Sequence, residues 1–268
     1  MTWEALASVL FVPGSRPDRF AKALGSGAGL VCIDLEDAVP PDDKPAARAA
    51  TVSAIGPRVA VRINQVATGD GLADLLALAG LTPAAVFVPK VEHEEQVALV
   101  AGVLGSAAIV PLIETPRGLR RAHRIAAHRQ VAALMFGGGD FAAELGVALS
   151  WEPLAWARGM LLAAAAEAGK PTIDVPWIAL DDADGLAAEA GRSRQLGFTA
   201  KAAIHPQQVA AIEAAFRPSA TELDEARAAV AAFAAAGGGA VRFNGRMLEA
   251  PVMRSYRRIL ARVGENDA

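Results

Sequence analysis

Cysteine is nearly absent, with Cys32 the single one in 268 residues. That excludes an internal disulfide, and Cys32, set in an apolar run, reads as a small buried hydrophobe. Charge of one sign is also lacking. The net charge is −3 with no long basic run, which speaks against a nucleic-acid binder. Long hydrophobic runs are missing too, although 53% of the residues are hydrophobic. Alanine-rich stretches such as "LLAAAAEAG" raise that figure, yet none reaches the roughly 18 uninterrupted apolar residues of a membrane span. The opening "MTWEALASVL" has no basic region followed by an apolar run, so no secretory signal is expected. The expectation is a soluble cytoplasmic protein. No GxGxxG follows the first strand-like run, which weighs against a dinucleotide-binding doubly wound sheet.

What is present is an alternation. Eight β-rich runs end in polar, Gly or Pro residues: "SVLFVPG", "LVCIDLED", "RVAVRIN", "AAVFVPK", "AIVPLIE", "VAALMFGGGD", "PTIDVP" and "FTAKAAIH". Helix-compatible segments rich in Ala, Leu, Glu and Arg lie between them, such as "KPAARAATVSAI" and "EHEEQVALVAGVL". In "TPRGLRRAHRIAAH", Thr115 reads as a cap with Pro116 at the first helical position. Gly169 closes "WEPLAWARGMLLAAAAEAG". The strands are nearly continuous apolar runs, as in parallel sheets covered by helices. Eight such units in about 200 residues are the count and size of a (β/α)8 barrel. After His205 the pattern turns helical, with "GGG" at 237–239 read as a hinge. The expected organisation is a barrel over 1–215 and a C-terminal helical extension over 216–268.

In such a barrel the active site lies at the C-terminal ends of the strands. Those ends carry Arg16 just past strand one, then Asp34, Glu36 and Asp37, Arg62 and Asn64, Lys90, Glu114, Asp140, Asp174, and finally Lys201 and His205. Acids that would be costly to bury bare are thereby expected to rim a polar mouth. Asp174 or Asn64 alone reads as readily as a turn or cap residue. Glu114 ends "IVPLI", and Asp140 follows three glycines, Gly137 to Gly139, which permit close approach of a ligand. Asp140 also reads as the N-cap of the helix "FAAELG", with the glycines a loop; cap and ligand are compatible roles. Two carboxylates without His or Cys suit a hard, oxygen-seeking cation such as Mg²⁺. His93, His123 and His128 fall in helical segments and read as solvated. Arg62 beside a cation suits an anionic substrate oxygen, which a guanidinium holds bidentately.

Seven stretches carry a resemblance in order: "SVLFVPGSRPDRFAKAL", "IDLEDAVPPDDK", "VRIN", "VFVPK", "PLIETPRGL", "FGGGDFAAELG" and "AKAAIHPQQV". The chain resembles the citrate lyase beta-subunit-like branch of the HpcH/HpaI aldolase superfamily. Within it the chain is similar to malyl-CoA and citramalyl-CoA lyases, from about Ser8 to the final helix. The resemblance implies a (β/α)8 barrel in homotrimers or their dimers, with Mg²⁺ on Glu114 and Asp140. It implies contact of Phe11, Arg16 and Lys22 with a CoA ester, and of Arg62, Gly139, Ile204 and His205 with substrate. Glu36 and Asp37 match acids that orient metal-bound water. In such lyases the C-terminal extension supplies an aspartate to a neighbouring subunit's site; Glu249, in "GRMLEAP", stands at that position with one more methylene. "GGGD" also departs from the usual pattern, which has a bulkier residue or an acid before the aspartate.

The implied reaction is a reversible Claisen-type cleavage of a β-hydroxyacyl-CoA to an acyl-CoA and a 2-oxo acid. Arg62 would stabilise developing charge, and Glu249 would move protons. Three alternatives stand beside it. A CoA-independent class II pyruvate aldolase would carry a histidine where this chain has Asp37. A thioesterase would act on the same acyl-CoA. A beta-like subunit of a citrate lyase complex would work only with partners.

Overall fold

The computed structural model describes residues 2–265. Eight parallel strands close into a barrel in chain order. They are β1 (Ser8–Pro13), β2 (Leu30–Asp34), β3 (Val59–Arg62), β4 (Val86–Val88), β5 (Ile109–Ile113), β6 (Leu134–Phe136), β7 (Thr172–Asp174) and β8 (Ala200–Ala203). β8 pairs back onto β1, so no strand edge is left open. The helices between them are α1 (Phe20–Leu24), α2 (Lys44–Ala54), α3 (Gly69–Leu78), α4 (Glu94–Leu104), α5 (Pro116–Ala126), α6 (Gly138–Leu145), α7 (Trp151–Glu167) and α8 (Ala183–Leu196), and α9 (Pro206–Phe216) follows β8. All eight expected strands form, because apolar runs such as Leu30 to Ile33 are buried on both faces. Local signals hold as well. Thr115 accepts a hydrogen bond from the Gly118 N–H at the start of α5, and Gly169 takes a left-handed backbone after α7 (φ 65°).

Three details differ from the sequence reading. Helix α6 begins at Gly138 with Gly137 at the cap position, so Asp140 lies in the first turn and not at the cap. His93 is the N-cap residue of α4, half-buried against Arg121, where a solvated helical histidine was expected. Asp174 and Lys201 do not reach the mouth. Their side chains are buried in the layer between barrel and helices, where Asp174 meets Arg158 Nε (2.9 Å), Lys201 Nζ (3.2 Å) and the Ser193 hydroxyl. Lys201 Nζ also reaches Glu189 at 2.7 Å. Burial alone would raise the Asp174 carboxyl, but the Lys201 and Arg158 charges hold it below its ordinary value. The physical reason is pleat parity: alternate strand residues face the helices, so a polar residue near a strand end can be a paired charge of the outer layer.

The residues from Leu6 to Phe216 form one compact unit, and those after Phe216 form a second, which the residues ahead of Leu6 join. The second unit holds α10 (Ala220–Ala235), β9 (Val241–Phe243), β10 (Arg246–Leu248) and α11 (Ala250–Ala261). Phe233, Leu248, Met253, Tyr256 and Leu260 make its own core. The glycines at 237–239 close α10, with the Gly238 N–H bonded to Phe233 O as in a glycine-ended helix. The antiparallel β9–β10 hairpin was not expected. Its Asn244–Gly245 turn has φ 46° and 76°, the left-handed pair such a two-residue turn requires. Among the described residues no helix is long and apolar enough to cross a membrane.

Candidate functional site

Register builds the site. Asp34 ends β2 directly beside Arg62, which ends β3. The guanidinium of Arg62 therefore donates bidentately, Nε and Nη2 each at 2.7 Å from the Asp34 carboxylate. Its third nitrogen, Nη1, lies 3.1 Å from Glu36 and 3.7 Å from Asp37. The Phe11 ring lies 5.5 Å from the Arg62 guanidinium carbon, within cation–π range. Asp34 also accepts the backbone N–H groups of Glu36 and Ala38, which turns the chain after β2 and presents Glu36. A chain of polar contacts supports that turn from outside. Lys44 Nζ donates to the Leu35 and Glu36 carbonyls and to Asn64, and Asn64 is held by Asp74.

Glu114 follows β5 and is only 3% exposed. It accepts the Lys90 backbone N–H at 2.5 Å. Its carboxyl packs where Gly137 has no side chain: a Cβ at Gly137 would sit 2.3 Å from Glu114 Cβ. Only glycine fits there, which accounts for part of the glycine run before Asp140. Burial, and then the charges of Glu36 and Asp140, push the Glu114 carboxyl up to about 8. Burial, opposed by Arg62, pushes Glu36 up to about 7. Acids crowded enough to resist ionisation mark a place where a positive charge is favoured. Lys90 Nζ supplies some of it, 3.4 Å from Asp140 and 3.8 Å from Glu36.

Arg62, Glu114, Asp140, Asp37, Gly139, Phe11 and Ile204 all line one cavity of about 470 Å³. An adjoining hollow of about 250 Å³ shares Phe11 and Ile204 with it and adds Arg19, Lys22 and His205. The expected residues therefore gather, with three exceptions, of which Glu36 lines neither hollow but reaches Arg62 at 3.1 Å. Arg16 lines neither hollow; its guanidinium is exposed and bonded to Asp18 at 2.9 and 2.8 Å. Glu249 belongs to the second unit, where it is the exposed cap residue of α11 without a side-chain capping bond. The sequence places Asp34 and Lys90 at the mouth without a particular role, and does not single out Arg19. Aligning the ends of "VCID" and "VAVR" would have paired Asp34 with Arg62; nothing in the sequence marks Lys90's backbone.

Comparisons to known proteins place the whole chain in a family. Residues 7–206 match the model of the family described as HpcH/HpaI aldolase/citrate lyase. The chain belongs to that family. Residues 161–263 also match a model described as a C–C bond lyase of the TIM-barrel fold. A (3S)-malyl-CoA thioesterase of Cereibacter sphaeroides is 35% identical, over 95% of this chain and 93% of that protein. An L-malyl-CoA/beta-methylmalyl-CoA lyase of the same organism is 35% identical, over 90% and 89%. Among solved structures, CitE of Mycobacterium tuberculosis, in complex with magnesium, acetoacetate and coenzyme A, superposes with a TM-score of 0.85. It is 35% identical and covers 97% of this chain and 98% of that one. The family is one of enzymes acting on carbon–carbon bonds, and this chain is an enzyme of that kind, a carbon–carbon lyase.

Proposed function

We propose that this protein is a Mg²⁺-dependent lyase that cleaves or forms the carbon–carbon bond of a β-hydroxyacyl-CoA of the malyl-CoA or citramalyl-CoA type, with acetyl-CoA and a 2-oxo acid as the other partners. One observation carries the reading: a single cavity holds an arginine fixed by its own buried aspartate together with two carboxylates, Glu114 and Asp140, the first pushed up by its burial and then by the charges of Glu36 and Asp140.

The donor set fits Mg²⁺. Among the described residues no three His, Cys, Asp or Glu side chains form an all-protein cage, and Mg²⁺ takes one or two carboxylates and leaves its other positions to water and substrate. Glu36 Oε2 is buried with Arg62 Nη1 3.1 Å away as an ion-pair partner but with no aligned hydrogen bond, so the water of a hydrated cation would find an acceptor there. Bound between Glu114 and Asp140, the cation would polarise the oxo-acid carbonyl as a Lewis acid. The chain's own groups do the rest. Arg62 holds a substrate oxygen and stabilises charge developing on it. In cleavage the hydroxyl loses a proton, the electrons of the broken bond pass to the thioester as an enolate, and the enolate carbon takes up a proton. Lys22 and Arg19 give the second hollow the positive character that CoA phosphates need, and His205 adds a polar ring to its lining.

The homotrimer, and Glu249 as the acid–base group that one copy supplies to another, are proposed on the family resemblance. If Glu249 acts in trans, an inactive Glu249→Ala protein mixed with an inactive Asp140→Ala protein regains turnover once mass spectrometry shows that subunits exchange. Exchange without recovery would remove it from that role.

A second reading, thioester hydrolysis, is supported by the thioesterase relative. Product analysis separates the two. Incubated with malyl-CoA or citramalyl-CoA and Mg²⁺, the lyase releases glyoxylate or pyruvate and leaves CoA acylated. A thioesterase releases free CoA thiol and the intact hydroxy acid. Free thiol without oxo acid would overturn the lyase reading.

A further inference from the structure

Two described non-glycine residues have a left-handed backbone, Asn244 in the hairpin turn and Lys90 (φ 51°). Asparagine tolerates that conformation, but lysine has no local hydrogen bond to compensate for it. Strain of this kind persists where the surroundings over-determine it, and it is a pointer to function when found at a site. The surroundings here are specific. The Lys90 N–H is given to Glu114, and the Lys90 carbonyl accepts Gln96 Nε2 at 3.3 Å. The side chain turns the same residue's ammonium toward Asp140 (3.4 Å) and Glu36 (3.8 Å). One strained residue thus touches Glu114 with its backbone and Asp140 with its side chain.

The cluster's other cation cannot move. Arg62 is committed to Asp34 through two hydrogen bonds, and its side chain is 15% exposed. Lys90 is different: its side chain is 34% exposed, and its ammonium makes ion pairs only beyond 3.3 Å. A compact charge on a flexible stem can swing into solvent at little cost. A divalent cation on Asp140 and an ammonium this close to the same carboxylate repel each other strongly in a partly desolvated site.

We infer that Lys90 is the resident counter-ion of the acid cluster, holding Asp140 and Glu36 in place while no divalent cation is bound and leaving Asp140 when one binds. The inference rests on the reading of Glu114 and Asp140 as cation ligands. It assigns Lys90 two opposed effects, stabilising the metal-free protein and competing with the metal. Lys90 is therefore a positioning residue that acts through the ligands.

The test compares wild type with Lys90→Met, Lys90→Gly and Lys90→Arg by calorimetric titration with MgCl₂ without substrate, and by melting in chelator and in saturating Mg²⁺. Methionine keeps the stem and removes the charge; glycine also removes the left-handed strain. Both are expected to bind Mg²⁺ more tightly by roughly tenfold, which corresponds to about 1.4 kcal/mol. Lys90→Met is expected to melt lower than wild type in chelator, with the gap closing in Mg²⁺. Lys90→Arg should retain the weaker, wild-type-like affinity. A structural role alone would lower stability with and without Mg²⁺ and leave affinity unchanged. Unchanged or weaker Mg²⁺ binding in both neutral variants, beside clear binding by wild type, overturns the inference while the site assignment stands. A wild-type protein that binds no Mg²⁺ overturns the site assignment and the inference together.

Discussion

Arg62→Lys is expected to lose on the order of 10²- to 10³-fold in kcat/KM while the protein still folds. Arginine here does two jobs that need its planar fork. Nε and Nη2 hold the buried Asp34 at 2.7 Å each, and Nη1 is left facing Glu36 at 3.1 Å. A lysine ammonium is a single point that can serve Asp34 or the cavity, but not both with the same geometry. Asp34 would keep the Glu36 and Ala38 backbone N–H groups and one nearby positive charge, so the barrel survives with a modest loss of stability. The substrate oxygen would lose its donor in both ground and transition states, with the larger loss in kcat. Measuring kcat and KM beside the melting temperature checks this. A wild-type kcat/KM in the lysine variant would remove Arg62 from the mechanism, and a failure to fold would make its role structural.

The sequence shows some of this architecture plainly and conceals the rest. The strands are legible because a parallel barrel strand is apolar on both faces, so its run is short, continuous and sharply ended. Glu114 and Asp140 are legible because a carboxylate directly after such a run needs a reason to be there. Asp174 and Lys201 look the same in one dimension and are not. They are registered neighbours on β7 and β8, as Asp34 and Arg62 are on β2 and β3, yet one pair turns to the helices and the other to the mouth. What distinguishes them lies far along the chain: Arg158, Glu189 and Ser193 are buried polar residues on helices α7 and α8 that complete the outer pair. Asn244–Gly245 is a legible hairpin signal, but it is set in a stretch whose flanks, α10 and α11, are helical. The conformation of Lys90 had no signal at all. A positive φ at a lysine is imposed by Glu114 and Gln96 and not by any preference of its own.

Glu114→Gln is expected to abolish Mg²⁺ binding and lower turnover by on the order of 10³-fold or more, yet to make the metal-free protein more stable at alkaline pH. The reason is the direction of the Glu114 shift. Its carboxyl titrates at about 8 in the folded protein against an ordinary 4.5. Between those values the folded state holds a proton that the unfolded state has released, so stability falls as pH rises through that window. Below it both states are protonated and nothing is lost; above it the full cost of a buried, crowded carboxylate is present. Glu36, raised to about 7, adds to the same trend. Glutamine is neutral at every pH and still offers an oxygen to the Lys90 N–H, so it keeps the hydrogen bond and sheds the repulsion from Glu36 and Asp140. Mg²⁺ prefers the ionised carboxylate, so its stabilisation of wild type should grow with pH as Glu114 ionises. Melting both proteins between about pH 5 and pH 9, in chelator and in Mg²⁺, reads these effects at about 2–4 °C per kcal/mol for a chain of this size. In chelator the wild-type curve should fall toward alkaline pH more steeply than the variant's, and Mg²⁺ should lift only the wild type. Parallel curves in chelator would mean that Glu114 ionises freely and that the acids do not repel. An equal Mg²⁺ response in the variant would take Glu114 out of the cation site.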